Sequence, residues 1–174
     1  MNKRERLRRV VLLCCHFARN AAIYRAGWDN GQLIRGGEFW KGINGNCMDI
    51  AVLEWCKLFA DRRDPHCWRQ TVNDSGSFEA GLYNVLGQNV SAEQLAEYTQ
   101  QVRLYRDKFI AHLDDEPIAR IPNLDYAISS VFYYHSHVFS TEAEPGVLDG
   151  LPPDLATFYA QHFNEAEMVY RGQT

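Results

Sequence analysis

The chain has 174 residues, of which 46% are hydrophobic and 23% charged, the balance of a folded globular protein and not of a disordered one. That length suits one domain, residues 1–174, burying roughly 70% of its unfolded surface. A net charge of −4 excludes a protein-wide field attracting nucleic acid or anionic membrane, so any polyanion must be held by a local cluster.

The cysteines are Cys14, Cys15, Cys47, Cys56 and Cys67; their number is odd and no C-x-x-C occurs. All fall in helical patterns, which predicts reduced, buried thiols and a cytoplasmic protein. A zinc site from Cys67, His66 and other histidines lacks the spacing of a ligand motif, so no metal and no cofactor is expected.

The first helix is predicted over residues 4–26. Lys3, Arg4, Arg6, Arg8 and Arg9 precede Val10-Val11-Leu12-Leu13-Cys14-Cys15, which has the outline of a signal peptide. The apolar run is short for that, and helical periodicity continues through Leu7, Val10, Cys14, Phe17, Ala21, Tyr24 and Trp28. An amphipathic helix is the better reading. Its basic start reads as a solvated helix end, with a phosphate-contacting patch as the alternative. No stretch approaches the ~18 apolar residues of a membrane span, so no membrane partner is expected.

Gly27, Asp29-Asn30-Gly31 and Gly36-Gly37 mark a loop. From Glu38 to Asp61, Phe39, Ile43, Cys47, Ile50, Leu53, Trp55, Leu58 and Phe59 fall on most sides of a helix, which predicts a central, buried one. Gly42 and Gly45 lower its propensity and suggest close approach to a neighbouring backbone. Arg62-Arg63-Asp64-Pro65 breaks it, and a short helix is predicted from His66 to Val72. Asn73-Asp74-Ser75-Gly76-Ser77 is a turn, and Phe78 to Leu86 a helix ended by Gly87.

Ser91-Ala92-Glu93-Gln94 has capping-box form. Leu95, Tyr98, Val102, Tyr105, Phe109 and His112 follow at spacings that make one apolar seam, and Pro117 places the helix end near Leu113 to Asp115. Pro122-Asn123 starts another helix with Leu124, Ile128, Val131, His135 and Val138 on one face. Residues 145–174 add a further packed helix from about Asp154 to Tyr170. With no strand pattern of useful length, the architecture is an all-α bundle of about five to seven helices.

Chemistry concentrates in Tyr105-Arg106-Asp107-Lys108-Phe109-Ile110-Ala111-His112. The plain reading is a helix face with an i,i+4 pair of Arg103 and Asp107, Lys108 suiting the helix dipole, and His112 packed in the core. The chemical reading takes His112 as a proton donor and acceptor near neutral pH and Arg106 as a guanidinium for a phosphoryl group. Six residues along a helix is ~600° of rotation and ~9 Å of rise, so the two side chains diverge by ~120°. They converge only where the helix deforms, or where a two-fold axis sets two copies face to face, so the mechanism predicts a homodimer with the motif segments opposed.

Arg106-Asp107-(x)4-His112 resembles the R-(polar)-x-H signature of HEPN domains, and the longer string resembles their abortive-infection U-type subgroup. The likeness extends to Phe39-Trp40, to Asp49 through Phe59 and to His66-Cys67-Trp68-Arg69, covering about residues 15–140 at pattern level. The resemblance implies a HEPN-like helical bundle and a metal-independent endoribonuclease of toxin-like or phage-defence type. It assigns Arg106 and His112 to the phosphate and Asp107 to their orientation. Lys108, Arg103 and Tyr105 are the candidate RNA contacts, Tyr105 by stacking or, more simply, as core. An antitoxin or regulatory protein is a candidate partner. The alternative is a non-catalytic module binding RNA, a nucleotide or a protein.

Other clusters carry plainer readings. His135 and His137, two apart in a helix, point to different faces and do not share an ion. Asp114-Asp115-Glu116 resembles a carboxylate cluster but reads as a solvated acidic turn.

Overall fold

Asn2 opens the first helix, its side-chain oxygen accepting from the Glu5 amide at 2.8 Å. The computed structural model describes residues 1–87, 90–111 and 121–173. Helix α1 (Lys3–Ala26) is followed by a small ribbon, β1 (Trp28–Asp29) and β2 (Gln32–Leu33), then by α2 (Glu38–Trp55) and α3 (Trp68–Thr71). The remaining helices are α4 (Ser75–Leu86), α5 (Ala92–Tyr105), α6 (Asp125–His137) and α7 (Leu155–Arg171). The architecture is an all-α bundle.

Helix α1 is its axis. Val10, Val11, Cys14, Phe17, Ala18, Ala21 and Ala22 are fully buried, and the run of small residues lets α2 and α7 lie along it on two sides, with α6 against it as well. Each large core side chain contributes ~1.5–3 kcal/mol by leaving water. The apolar pattern of α2 predicts that it is the central helix, and the structure corrects this. Phe39 is 69% exposed and Ile43 and Ile50 are more than a third exposed, while Cys47, Met48, Ala51, Val52 and Trp55 face the core. Gly42 and Gly45 face open space, not a neighbouring backbone. Helix α7 packs on α1, as expected of the C-terminal helix.

The predicted loop after α1 is a two-residue hairpin pairing Trp28 with Leu33 and Asp29 with Gln32. Asn30 and Gly31 have φ of 48° and 78°, the two left-handed positions that a type I′ turn needs. Gly27 is required for a different reason: a Cβ there would lie 2.4 Å from Asn44 Nδ2. That amide donates to Tyr24 O at 2.9 Å, and Trp28 Nε1 donates to Asn44 Oδ1 at 2.9 Å, so Asn44 stitches the hairpin to α2.

An aromatic network joins the other helices. Trp55 stacks on Phe59 and meets Tyr98 of α5 edge-on, Phe59 meets Tyr134 of α6, and Phe78 of α4 touches Trp68, Tyr133 and Tyr134. The buried indole of Trp55 donates to Ser130 Oγ at 3.0 Å, so this core keeps its polar hydrogen satisfied.

The predicted capping box is present. Ser91 Oγ accepts from the Gln94 amide, and Gln94 Oε1 accepts from the Ser91 amide. Of the predicted seam, Tyr98, Val102 and Tyr105 are buried and Leu95 packs at its edge. The predicted end of this helix, near Leu113 to Asp115, lies outside the described residues.

Candidate functional site

Among the described residues, three helices run on into a widened, π-helical turn: Cys56–Ala60 after α2, Arg106–Ala111 after α5 and Val138–Glu142 after α6. The Asp61 amide donates to Cys56 O and the Ala143 amide to Val138 O, the five-residue bond that defines such a turn. A π-turn adds backbone without breaking the helix and turns the side chains that follow onto a new face.

The first π-turn packs on α5 and the second on α2, and an ion pair ties Asp61, just after the first, to Arg106 of the second. Arg106 Nη1 donates to Asp61 Oδ2 at 2.6 Å, and Arg106 Nε donates to Asp107 Oδ1 at 2.9 Å. The Arg106 side chain is 16% exposed, against 34% for Asp61 and 53% for Asp107. The Asp61 hydrogen bond is the largest influence raising the Arg106 pKa above its already high ordinary value, so the guanidinium is a permanent cation. Among the described residues its Nη2 has no hydrogen-bond partner, so those N–H groups can donate to an anion. Asp61 lies 45 positions upstream and was not singled out from the sequence.

Asp107 is therefore held by Arg106, not by Arg103 as the i,i+4 spacing predicts. The π-turn begins at Arg106, so the α-helical register behind that expectation stops there. Arg103 is exposed, and Lys108 is half-buried. Of the two readings of Tyr105, the structure gives the core one and removes the stacking contact with RNA. It is 7% exposed, its hydroxyl donates to Asp49 Oδ1 of α2 at 2.8 Å, and burial raises its pKa. His112 lies outside the described residues, as does Asp114-Asp115-Glu116.

Beside the ion pair runs a groove of about 870 Å³ between α4 and α5. The aromatic floor comes from Trp55, Phe59 and Trp68, and Arg62, Arg69 and Arg103 line it together with Glu79 and Asp107. Arg69 lies over the Trp68 ring at 4.2 Å and pairs with Glu79 at 3.1 Å.

Three of the five basic residues at the N-terminus are committed elsewhere. Arg6 Nη1 donates to Gln70 O, Arg8 Nη1 donates to Val147 O and Asp149 O, and Lys3 Nζ lies 3.9 Å from the buried Glu142. That carboxylate accepts from the backbone and side-chain amides of Asn73. A phosphate patch of the whole cluster is thus not what this helix end presents.

All five cysteines are free and buried; burial pushes the Cys56 thiol up to about 12 and that of Cys15 up to about 11. Among the described residues no group of three histidine, cysteine or acidic side chains could hold a metal ion, and no helix is long and apolar enough to cross a membrane. His135 faces the core, near Pro152 O at 3.1 Å, while His137 meets Phe78 on another face.

No family model matches the chain, and neither a curated protein nor a solved structure matches it.

Proposed function

We propose that this protein is a metal-independent endoribonuclease of HEPN type, acting in the cytoplasm in toxin-like growth arrest or phage defence. The observation that carries the reading is Arg106. It is a permanently charged guanidinium on a π-turn, held at Nη1 by Asp61 and at Nε by Asp107, with its Nη2 unpaired among the described residues and a cation-lined groove beside it. The resemblance of Arg106-Asp107-(x)4-His112 to the HEPN signature supplies the reaction.

In that reaction the RNA's own 2′-hydroxyl attacks the adjacent phosphorus and the bond to the 5′-oxygen breaks. His112 takes the proton from the hydroxyl and returns one to the leaving oxygen, and Arg106 stabilises the charge that develops on the phosphoryl oxygens. The products are a 2′,3′-cyclic phosphate and a 5′-hydroxyl. Asp107 acts as an orienting residue, since its carboxylate already holds Arg106 Nε. Lys108 and Arg103 contribute local positive charge.

The reading includes a homodimer with opposed motif segments. Leu104 is 52% and Ile50 39% exposed, each next in sequence to an end of the Tyr105–Asp49 hydrogen bond, and such apolar exposure suits a subunit contact. It includes an antitoxin or regulatory protein that restrains the activity.

One observation favours a second reading, a non-catalytic module binding RNA, a nucleotide or a protein. Two carboxylates already sit on Arg106, and phosphate must compete with them.

The test is cleavage of total RNA by purified protein in EDTA, wild type beside His112→Ala. The proposal predicts cyclic-phosphate ends from wild type and no cleavage by the variant. Equal cleavage by both removes His112 as the acid and base.

A further inference from the structure

The groove between α4 and α5 has a charge balance of its own. Its two carboxylates are engaged, Glu79 by Arg69 and Asp107 by Arg106. Arg62 and Arg103 line the same groove, both exposed, and among the described residues neither guanidinium has a hydrogen-bond or ion-pair partner. On a chain of net charge −4, two uncompensated guanidiniums in one concavity complement an anion with two charges or two successive phosphates.

The walls between those cations are mixed, with Thr99 and Gln100 among apolar side chains. Tyr83, half-buried, comes from α4, and Leu95 and the small Ala96 come from α5, over the Phe59 and Trp68 floor. A volume of about 870 Å³ lies within the ~300–1,000 Å³ of small-molecule sites and admits a planar base with its sugar. Thr99 already donates its hydroxyl to Leu95 O, which leaves the exposed Gln100 as the uncharged polar side chain that α5 offers an occupant.

We infer that this groove binds single-stranded RNA, with a base against the Tyr83 wall and the flanking phosphates on Arg62 and Arg103. The choice of RNA as the polymer rests on the function proposed above. The groove's chemistry by itself asks for a phosphodiester carrying a planar base. Because Asp107 both lines the groove and holds Arg106, RNA seated here delivers its next phosphate toward that guanidinium.

The test uses a fluorescent oligouridylate with 2′-O-methyl groups, which has no free 2′-hydroxyl and cannot be cleaved by the proposed route. Binding to the full chain is followed by anisotropy across a salt series in EDTA. Arg62→Ala with Arg103→Ala is expected to weaken binding at least ten-fold and to flatten the slope of log K against log salt by about 1.4, roughly 0.7 for each phosphate contact. Tyr83→Ala is expected to weaken it about ten-fold, with Tyr83→Phe binding as wild type.

Arg63 is exposed and does not line the groove, so Arg63→Ala removes a neighbouring charge and is expected to leave affinity within two-fold. Equal losses from Arg63→Ala and Arg62→Ala would reduce the effect to diffuse charge and overturn the inference. So would a wild-type chain that does not bind the oligomer, which would leave the groove to a peptide. Because the probe is not cleaved, failure of the nuclease reading leaves this result untouched. Conversely, cleavage of total RNA at the wild-type rate by the Arg62 and Arg103 double variant would remove the groove and keep the nuclease.

Discussion

His135 offers a stability prediction with a definite sign. The residue is 1% exposed, packed against Phe139 of the π-turn that follows α6, with Nε2 near Pro152 O at 3.1 Å. Burial is the main cause that holds its pKa down to about 4, from an ordinary 6.5; the Pro152 carbonyl and Asp154 oppose it without cancelling it. The unfolded chain takes a proton at His135 below pH 6.5, whereas the folded one refuses it until pH falls to about 4. The stabilising preference for neutral imidazole is therefore intact above pH 6.5 and is lost as pH falls through this window. The full difference is worth about 3 kcal/mol, of which about 2 kcal/mol is lost by pH 5. For a chain of this length that lowers Tm by ~4–8 °C. The assay is thermal unfolding at pH 7.5 and pH 5 of wild type and His135→Gln, whose amide can still donate to Pro152 O. The variant starts lower because it loses packing, so the quantity read is the change between the two pH values. A fall in the variant as large as in wild type would refute the assignment to His135.

Asp61→Asn removes the charge that anchors Arg106. The pair is only partly buried, so the stability cost is about 1 kcal/mol and Tm falls ~2–4 °C, while RNA cleavage falls at least ten-fold with RNA binding retained. Unchanged cleavage would show that Asp61 does not position Arg106. Gly81→Ala raises helix propensity in α4 but puts a Cβ 2.0 Å from Tyr133 Oη and 2.6 Å from its Cζ. Denaturant titration should show a net loss of ~1–3 kcal/mol, and a gain would mean that the α4–α6 contact is looser than described. The buried thiols, Cys56 with its pKa near 12 in particular, should react with a disulfide reagent at pH 8 at least 100-fold more slowly than free cysteine. All five should titrate after unfolding, and rapid native reaction of any one would contradict its burial.

Apolar periodicity, breakers and one capping box identified the helices. Ser91 with Gln94 caps α5 as predicted, and of the periodic residues Leu7, Val10, Cys14, Phe17 and Ala21, then Tyr98, Val102 and Tyr105, then Leu124, Val131, His135 and Val138 are buried, whereas Tyr24, Leu95 and Ile128 are only half-buried and Trp28 is exposed. Residue counting failed where tertiary packing decides. The apolar residues of α2 outnumber what its neighbours cover, so its first half stays exposed and α1 takes the centre. Asn30-Gly31 was read as loop although that dipeptide is the strongest short hairpin signal; strands of two residues leave no alternation to support it. The π-turns have no compositional signature, so the shift that gives Asp107 to Arg106 and not to Arg103 was invisible. Asp61 and the groove were missed for a related reason. They are assembled from segments between Trp55 and Asp107 that meet only in the fold.

Arg106 provides the most direct test of the account, because it is both the motif residue the structure places and the cation that the proposed chemistry requires. The measurement is the initial rate of total-RNA cleavage in EDTA by wild type, Arg106→Ala and Arg106→Lys, with circular dichroism confirming the same helical content. The account predicts loss of at least 100-fold for alanine, about 2.7 kcal/mol of barrier, and only partial recovery by lysine, which lacks the planar fork held by Asp61 and Asp107. Cleavage by Arg106→Ala at the wild-type rate, with the same cyclic-phosphate ends, would contradict it.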